Sequence, residues 1–528
     1  MHRSLLREHC KSLEVWRKTL RATDGVVVYS RQDAGRVYHD AASHQNDPLT
    51  IKMSQDDNSN ISLLPVAKLA ESIRTGAISP VEVINAYLQR IEKLNPTLNA
   101  IVTLAPDALD QAKAAEAAIV RGETIGPLHG VPLTVKDTIE TAGLRTTSGS
   151  LLRAEFVPNR DAPAVARLKA AGAIILGKTN AAEMAMDYTA DNPVFGRTSN
   201  PYDLSLTPGG SSGGEAAAIA ACLSPGGIGS DLAGSIRIPA HFCGISGLKP
   251  TVGCVPGDGQ FPTSRGPYSL GAAIGPMARS ASDLQLLFAV LAGREAEFAA
   301  TSAAATRKRV AWYTDDGVAP VTDETRTAVE TAAGALADAG FVVAEARPPG
   351  VEFGHALWLR IFSRASVVQL REVYGGHEDQ GGDFVRWRLR TADDTPAPSL
   401  DDYITSWLQR DRLRASLLDW MADTPLLLAP VGATPAYLHA TQKVTVAART
   451  MNTFRAFSYS QTFNVLDLPV VVIPVGRSAA GLPIGVQIVG RPFAEESVLA
   501  AAAIIETALG GWQAPRMLSE LPPVAGDS

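Results

Sequence analysis

Short apolar runs alternate along this chain with helical, alanine-rich stretches, and no other feature constrains its fold as strongly. "APAVARLKAAG" (162–172) carries apolar residues at helical spacing and passes directly into "AIILGKT" (173–179), which reads as a strand. "GPLHGVPLTVKDT" (126–138) holds a short apolar run bounded by Gly and Pro, the pattern of a buried strand. "RVAWYT" (309–314), "FVVAEA" (341–346), "PVVVIPVG" (469–476) and "PIGVQIVG" (483–490) repeat it, with helical stretches between them. Alternating strands and helices predict an α/β protein with a covered sheet. Upstream, residues 63–104 are apolar at helical spacing. Val83, Ile84, Tyr87, Leu88 and Ile91 line one face, and Ser79-Pro80 stands where a helix cap belongs. Residues 350–450, more aromatic and charged, read as a helical elaboration on the main body.

Composition narrows the function. A net charge of −6 without a long run of one sign argues against a nucleic acid partner, which needs clustered Lys and Arg. Cys10, Cys222, Cys243 and Cys254 form no CxxC pair, so neither a disulfide framework nor a zinc site is expected, and a reducing, cytoplasmic setting is the plain reading. No apolar run is long enough to span a bilayer. Residues 1–58 are basic, then polar, and read as an N-terminal extension; an ordered helix there is the alternative. The folded domain is expected over 59–520, with its core at about 120–290, and residues 521–528 as a tail.

The stretch "TPGGSSGGEAAAIAACLSPGGIGSDLAGSIRIP" (207–239) is where chemistry concentrates, and four readings compete for it. A phosphate-binding loop needs Lys after its last glycine, and Glu215 stands there instead, where it would repel phosphate. A G-x-S-x-G elbow fits around Ser211 or Ser212, but the preceding "NPYDLSLTP" is no strand. S-x-x-K at Ser246–Lys249 is followed by Pro250, which breaks the helix that such a pair needs. The fourth reading is glycines for packing and serines for turns.

The wider chain decides between them. "GVPLTVKD" (130–137), "GKTNAAE" (177–183), "TPGGSSGGEAAA" (207–218), "GSDLAGSIRIPAHFCGISGLKPT" (229–251) and "GPMARSASD" (275–283) occur in order, followed by "DTPLLLAP", "NVLDLPVVVIPVG" and "GLPIGVQIVGRPFAEE". Together they resemble the amidase signature family over residues of about 60–510. The resemblance implies one large domain whose mixed, twisted central sheet is covered by helices on both faces. It also implies a hydrolase without metal or cofactor. By motif, it assigns Lys136 as base, Ser211 as a relay serine following a cis peptide, and Ser235 as nucleophile. The backbone N–H groups of Leu232, Ala233, Gly234 and Ser235 would form the oxyanion hole.

That chemistry is consistent with the residues. Serine is a weak nucleophile near neutral pH and needs a base, and a lysine can substitute for histidine in that role. It must be neutral, so its pKa has to fall from about 10.4, and burial at the end of the apolar run 131–135 would lower it. A salt bridge to Asp137 is the alternative for Lys136, weakened because neighbours on a strand point to opposite faces. Ser212, Asp231 and Arg237 are expected to support the loops, Asp231 pairing with Arg237 beneath Ser235. His129 and His241 are rival bases. A pocket is expected to draw on residues of about 185–195 and 350–450; Tyr188, Trp358 and Trp407 could wall it, but core packing is the favoured reading for each.

Three functions follow from the resemblance: hydrolysis of a small-molecule amide, hydrolysis of an ester or carbamate on the same scaffold, and the ammonia-supplying glutaminase component of an amidotransferase. That last branch usually carries "DTGGS", whereas this chain has "DLAGS" and no basic face, which favours a free-standing enzyme. A homodimer is the commonest assembly for such enzymes.

Overall fold

Local sequence explains the first elements. The structure, a computed structural model, describes residues 61–294, 309–393 and 398–518. The extension expected at 1–58 and the tail at 521–528 lie outside the described residues. Helix α1 spans Val66–Arg74 and α2 spans Pro80–Leu98. Ser79 caps α2 through a capping box: its hydroxyl accepts from the Val81 N–H and Glu82 accepts from the Ser79 N–H. The helical reading of 63–104 fails at its end, where Ile101–Leu104 is a strand, β1. Asn99 stops α2 in the left-handed region, and the Asn95 side chain accepts from the N–H groups of Ala100 and Ile101, which turns the chain.

The remaining elements follow in chain order: α3 (Ala108–Val120), β2 (Pro132–Lys136), α4 (Pro163–Ala170), β3 (Ile174–Thr179), α5 (Gly213–Ala220), β4 (Gly226–Asp231), α6 (Arg237–Cys243), β5 (Ser246–Lys249), β6 (Ala273–Ala278), α7 (Ala281–Ala292), β7 (Arg309–Trp312), α8 (Asp323–Asp338), β8 (Val342–Glu345), α9 (Gly354–Trp358), α10 (Arg364–Tyr374), α11 (Asp383–Asp393), α12 (Leu400–Trp420), β9 (Leu426–Pro430), the hairpin β10 (Lys443–Val446) and β11 (Arg449–Asn452), α13 (Ser458–Val465), β12 (Val470–Arg477), β13 (Pro483–Gly490) and α14 (Glu495–Leu509).

Eleven strands form one sheet in the order β1-β3-β2-β4-β6-β5-β12-β13-β9-β7-β8. It is mixed: β2 runs parallel to β3 and β4, and β7 parallel to β8 and β9, while the other neighbours are antiparallel. Alternation divides its side chains between two cores. Leu133, Val135, Leu426, Leu428, Val471 and Ile473 enter the first, with Val329 of α8 and Leu499 of α14 packed there. Leu427, Ala429, Val470 and Val472 enter the second, covered by Phe242 of α6 and Phe463 of α13. Helices thus cover both faces, as the resemblance implies.

The glycine-rich stretch holds more regular structure than two loops joined by a helix. Its "GGIGSD" is β4, a central strand between β2 and β6. Glycine usually weakens a strand, but here the missing Cβ lets α5 approach. A Cβ on Gly227 would collide with the Glu215 carboxylate and the Thr134 carbonyl, and one on Gly229 would lie 2.8 Å from Ser212 Oγ. The S-x-x-K match is also a strand, β5, which puts its two ends on opposite faces. The helical elaboration is shorter than the sequence indicates. It ends at Trp420, because β9 returns the chain to the sheet and the β10–β11 hairpin follows.

Candidate active site

Lys136 ends β2. Leu133 and Val135 face the first core, so alternation turns Thr134 and Lys136 to the other side of the sheet. Lys136 is fully buried, and its Nζ donates to Ser211 Oγ at 2.6 Å and to Ser230 Oγ at 3.0 Å. Burial pushes its pKa down to about 7, against the opposing pull of the Asp231 and Glu215 charges. The salt bridge to Asp137 is not made; Asp137 accepts instead from the Thr147 N–H and hydroxyl, at 3.0 and 2.5 Å. Glu215, on α5, accepts from the hydroxyls of Thr134 (2.5 Å) and Thr179 (2.7 Å). Burial raises the Glu215 carboxyl to about 7.

Ser211 follows a cis peptide after Gly210. Ser212 joins this loop to its surroundings: its N–H donates to the Ser235 carbonyl at 3.1 Å, and its hydroxyl bonds the backbone of Ser230. Ser230 is a second anchor for Lys136. Only the pairing of β2 with β4 reveals it. Ser211 and Ser235 line one cavity, and no hydrogen bond joins their hydroxyls.

The loop 231–235 can be accounted for group by group. Its carbonyls are all engaged. Asp231 accepts from Asn464 Nδ2 (3.3 Å), Leu232 from Trp358 Nε1 (2.9 Å), Ala233 from the Tyr188 hydroxyl (2.8 Å), Gly234 from the Ile238 N–H (2.7 Å) and Ser235 from the Ser212 N–H (3.1 Å). Among the described residues, the N–H groups of Leu232, Ala233 and Ser235 have no protein acceptor. The resemblance also assigns the Gly234 N–H to the oxyanion hole. The structure gives it to Asp231 Oδ1 at 2.9 Å instead, because the carboxylate lies directly beneath the loop. Glycine at 234 has a different use: φ is +107°, and a Cβ would sit 2.7 Å from Ser460 Cβ.

Beneath the loop, Arg237 holds Asp231 with two bonds of 2.9 Å, both side chains fully buried. Burial works to raise the Asp231 carboxyl. The Arg237 charge and hydrogen bonds, with help from Asn464 and the Ile236 N–H, outweigh it and hold the group well below the usual carboxylate range. Both rival histidines are committed elsewhere. His129 Nε2 meets the Ala115 carbonyl, and His241 contacts the Thr434 carbonyl and the Gly485 N–H through its two ring nitrogens.

Tyr188 and Trp358 both line the cavity, but not as passive walls, since each bonds a carbonyl of the 231–235 loop. Trp407 stays out of the lining and packs edge-on against Phe362 at 6.3 Å. The cavity is open to solvent and walled by aromatic rings that include Tyr268, Phe362 and Phe454. Segments 184–188 and 358–388 contribute, close to expectation. Residues 260–272 contribute too, and nothing in the sequence marks them, because this short polar, Gly/Pro-rich segment has no periodicity.

A buried amine bonded to one serine, beside a loop that carries a second serine and unpaired N–H groups, can support acyl transfer. The amidase family model matches residues 82–499 of the chain. Fatty-acid amide hydrolase 2 of Homo sapiens is 33% identical over 495 residues, covering 86% of this chain and 90% of that protein. A glutamyl-tRNA(Gln) amidotransferase component of Roseiflexus sp. (strain RS-1) is 35% identical over 480 residues, covering 83% of this chain and 94% of that protein. The solved structure of a bacterial aryl acylamidase superposes with a TM-score of 0.77 at 27% identity, covering 87% of this chain and 99% of that one. The chain therefore belongs to the amidase signature family, as a hydrolase acting on carbon–nitrogen bonds. Among the described residues, no helix is long and apolar enough to cross a membrane.

Proposed function

We propose that the protein hydrolyses small carboxylic acid amides through an acyl-enzyme on Ser235, with Ser211 and Lys136 as proton relay. The observation that carries this reading is the buried Lys136 amine, 2.6 Å from Ser211 Oγ and with its pKa at about 7. Neutral Lys136 accepts the Ser211 proton, and Ser211 accepts the Ser235 proton as Ser235 Oγ bonds to the carbonyl carbon. The carbonyl oxygen becomes an oxyanion, which the N–H groups of Leu232, Ala233 and Ser235 stabilise. The relay then runs backwards. Lys136 returns its proton to Ser211, Ser211 protonates the departing nitrogen, and the carbon–nitrogen bond breaks. Water enters through the same relay, breaks the acyl–Ser235 bond and releases the acid.

An aromatic cavity favours aryl or alkyl substituents, which supports the free-standing amidase reading over the amidotransferase one. Esters and carbamates share the acyl-enzyme route and differ in the leaving group; a panel of matched amides, esters and carbamates ranks them. The direct test is labelling with a fluorophosphonate probe. The adduct should map to Ser235. Ser235→Ala should lose both labelling and turnover while its circular dichroism and melting stay unchanged. Full turnover in that variant would refute the reading.

A further inference from the structure

Arg388 of α11 lines the same cavity as Ser211 and Ser235. Its Nη2 donates to the Ser363 carbonyl at 2.6 Å and to Ser363 Oγ at 2.5 Å. It pairs with no carboxylate among the described residues, and the nearby charge of Arg364 has the same sign. The two acids in the cavity wall are occupied. Asp231 belongs to Arg237, and Asp187 accepts from the Tyr188 N–H (2.7 Å) and the Thr189 hydroxyl (3.3 Å). Ser366 and Gln369 line the same cavity. The Gln369 amide donates to the Thr263 carbonyl at 3.0 Å, and its Oε1 is buried without a partner.

A guanidinium drawn partly out of water is normally matched by an anion, because the desolvation it suffers is otherwise uncompensated. Its planar fork also suits a carboxylate, which it can grip with two parallel bonds. Here Nη2, which belongs to both gripping edges of the fork, is taken by Ser363, so Arg388 has Nε and Nη1 left as separate donors, each able to give a carboxylate one charge-assisted bond. The match is missing from the protein and the group faces the substrate cavity, so the structure assigns it to the ligand. We propose that Arg388 recognises a carboxylate carried by the substrate away from its scissile amide, so that the favoured substrates are aryl or alkyl amides with a carboxylate. The proposal rests on the amide hydrolase reading, and narrows its substrate class.

The test uses the full chain with Ser235→Ala, which binds without turnover, and matched ligands measured by calorimetry. Hexananilide is the neutral reference; adipic acid monoanilide carries the carboxylate on the acyl chain, and 4-hexanamidobenzoate carries it on the ring. At least one carboxylate ligand should bind about tenfold or more tightly than hexananilide. Adding Arg388→Gln should bring that ratio to within about twofold of unity, and Arg388→Lys should keep part of it. Hexananilide binding by each variant verifies that its cavity is formed. A ratio near one for both carboxylates in Ser235→Ala, or a preference that survives Arg388→Gln, overturns the proposal. Hydrolysis of the three amides by the unmodified enzyme is read separately. If none is hydrolysed, the amidase reading falls, while the binding ratio still decides the role of Arg388.

Discussion

Lys136 can act as a base only in its neutral form, and burial supplies that form near pH 7. Below that value the amine is protonated and cannot take the Ser211 proton. The kcat/KM profile for a neutral anilide should therefore rise as pH rises through about 7 and level off above it. Glu215 offers a check on the sign. Its negative charge holds the Lys136 pKa up. Glu215→Gln keeps oxygen and nitrogen atoms for Thr134 and Thr179 but removes the charge, so the rising limb should move to lower pH. Glu215 is itself only partly ionised near pH 7, so the shift is small, and a limb that moves up contradicts this electrostatic account. At this scale Lys136, Ser211 and Ser235 are legible in the sequence because each sits in a motif. Ser230 is not, because its bond to Lys136 needs β4 to lie beside β2.

The element that matters most is the loop between β4 and α6. A trans peptide points its C=O and N–H in opposite directions, so fixing a carbonyl on one side aims the following N–H to the other. The Trp358 indole fixes the Leu232 carbonyl and so aims the Ala233 N–H. Trp358→Phe retains a ring in the cavity wall but loses that bond. Its kcat should fall about tenfold, with KM within about threefold and little change in melting temperature, as for a lost positioning bond of ordinary strength. Steady-state kinetics decide it: a rise in KM with kcat intact would make Trp358 a simple wall. The resemblance names the loop, but it places Gly234 among the donors. Asp231 takes that N–H, a contact set by where the carboxylate lies beneath the backbone.

Across the molecule, the Asp231–Arg237 pair connects distant parts of the chain. Arg237 also donates to Gln487 of β13 (2.7 Å) and Asn464 of α13 (2.5 Å), joining the end of β4 to two elements far along the chain. Arg237→Met would leave the Asp231 carboxylate buried and unpaired. Unfolding free energy in urea should fall by about 3–5 kcal/mol, and Asp231→Leu added to it should recover part of the loss. An unchanged urea midpoint for the single variant would show that the pair bears no weight in the fold.

The amino-acid sequence by itself determined the α/β class, through the alternation of apolar runs with helices, and it carries, in the order of its motifs, the resemblance that assigns Lys136, Ser211 and Ser235. The first is a property of local pattern, the second of motifs spread along the whole domain. It did not reveal β1 or the strand within "GGIGSD", since Asn95 and Asn99 end a helix by specific side-chain and backbone geometry, and glycines form a strand only where neighbours need the space. Tertiary structure alone decided which N–H groups stay free, which serine second-anchors Lys136, and that Arg388 faces the cavity without a carboxylate. These depend on contacts such as Trp358 with Leu232, 126 residues apart. Such contacts exist only once the sheet has brought those segments together.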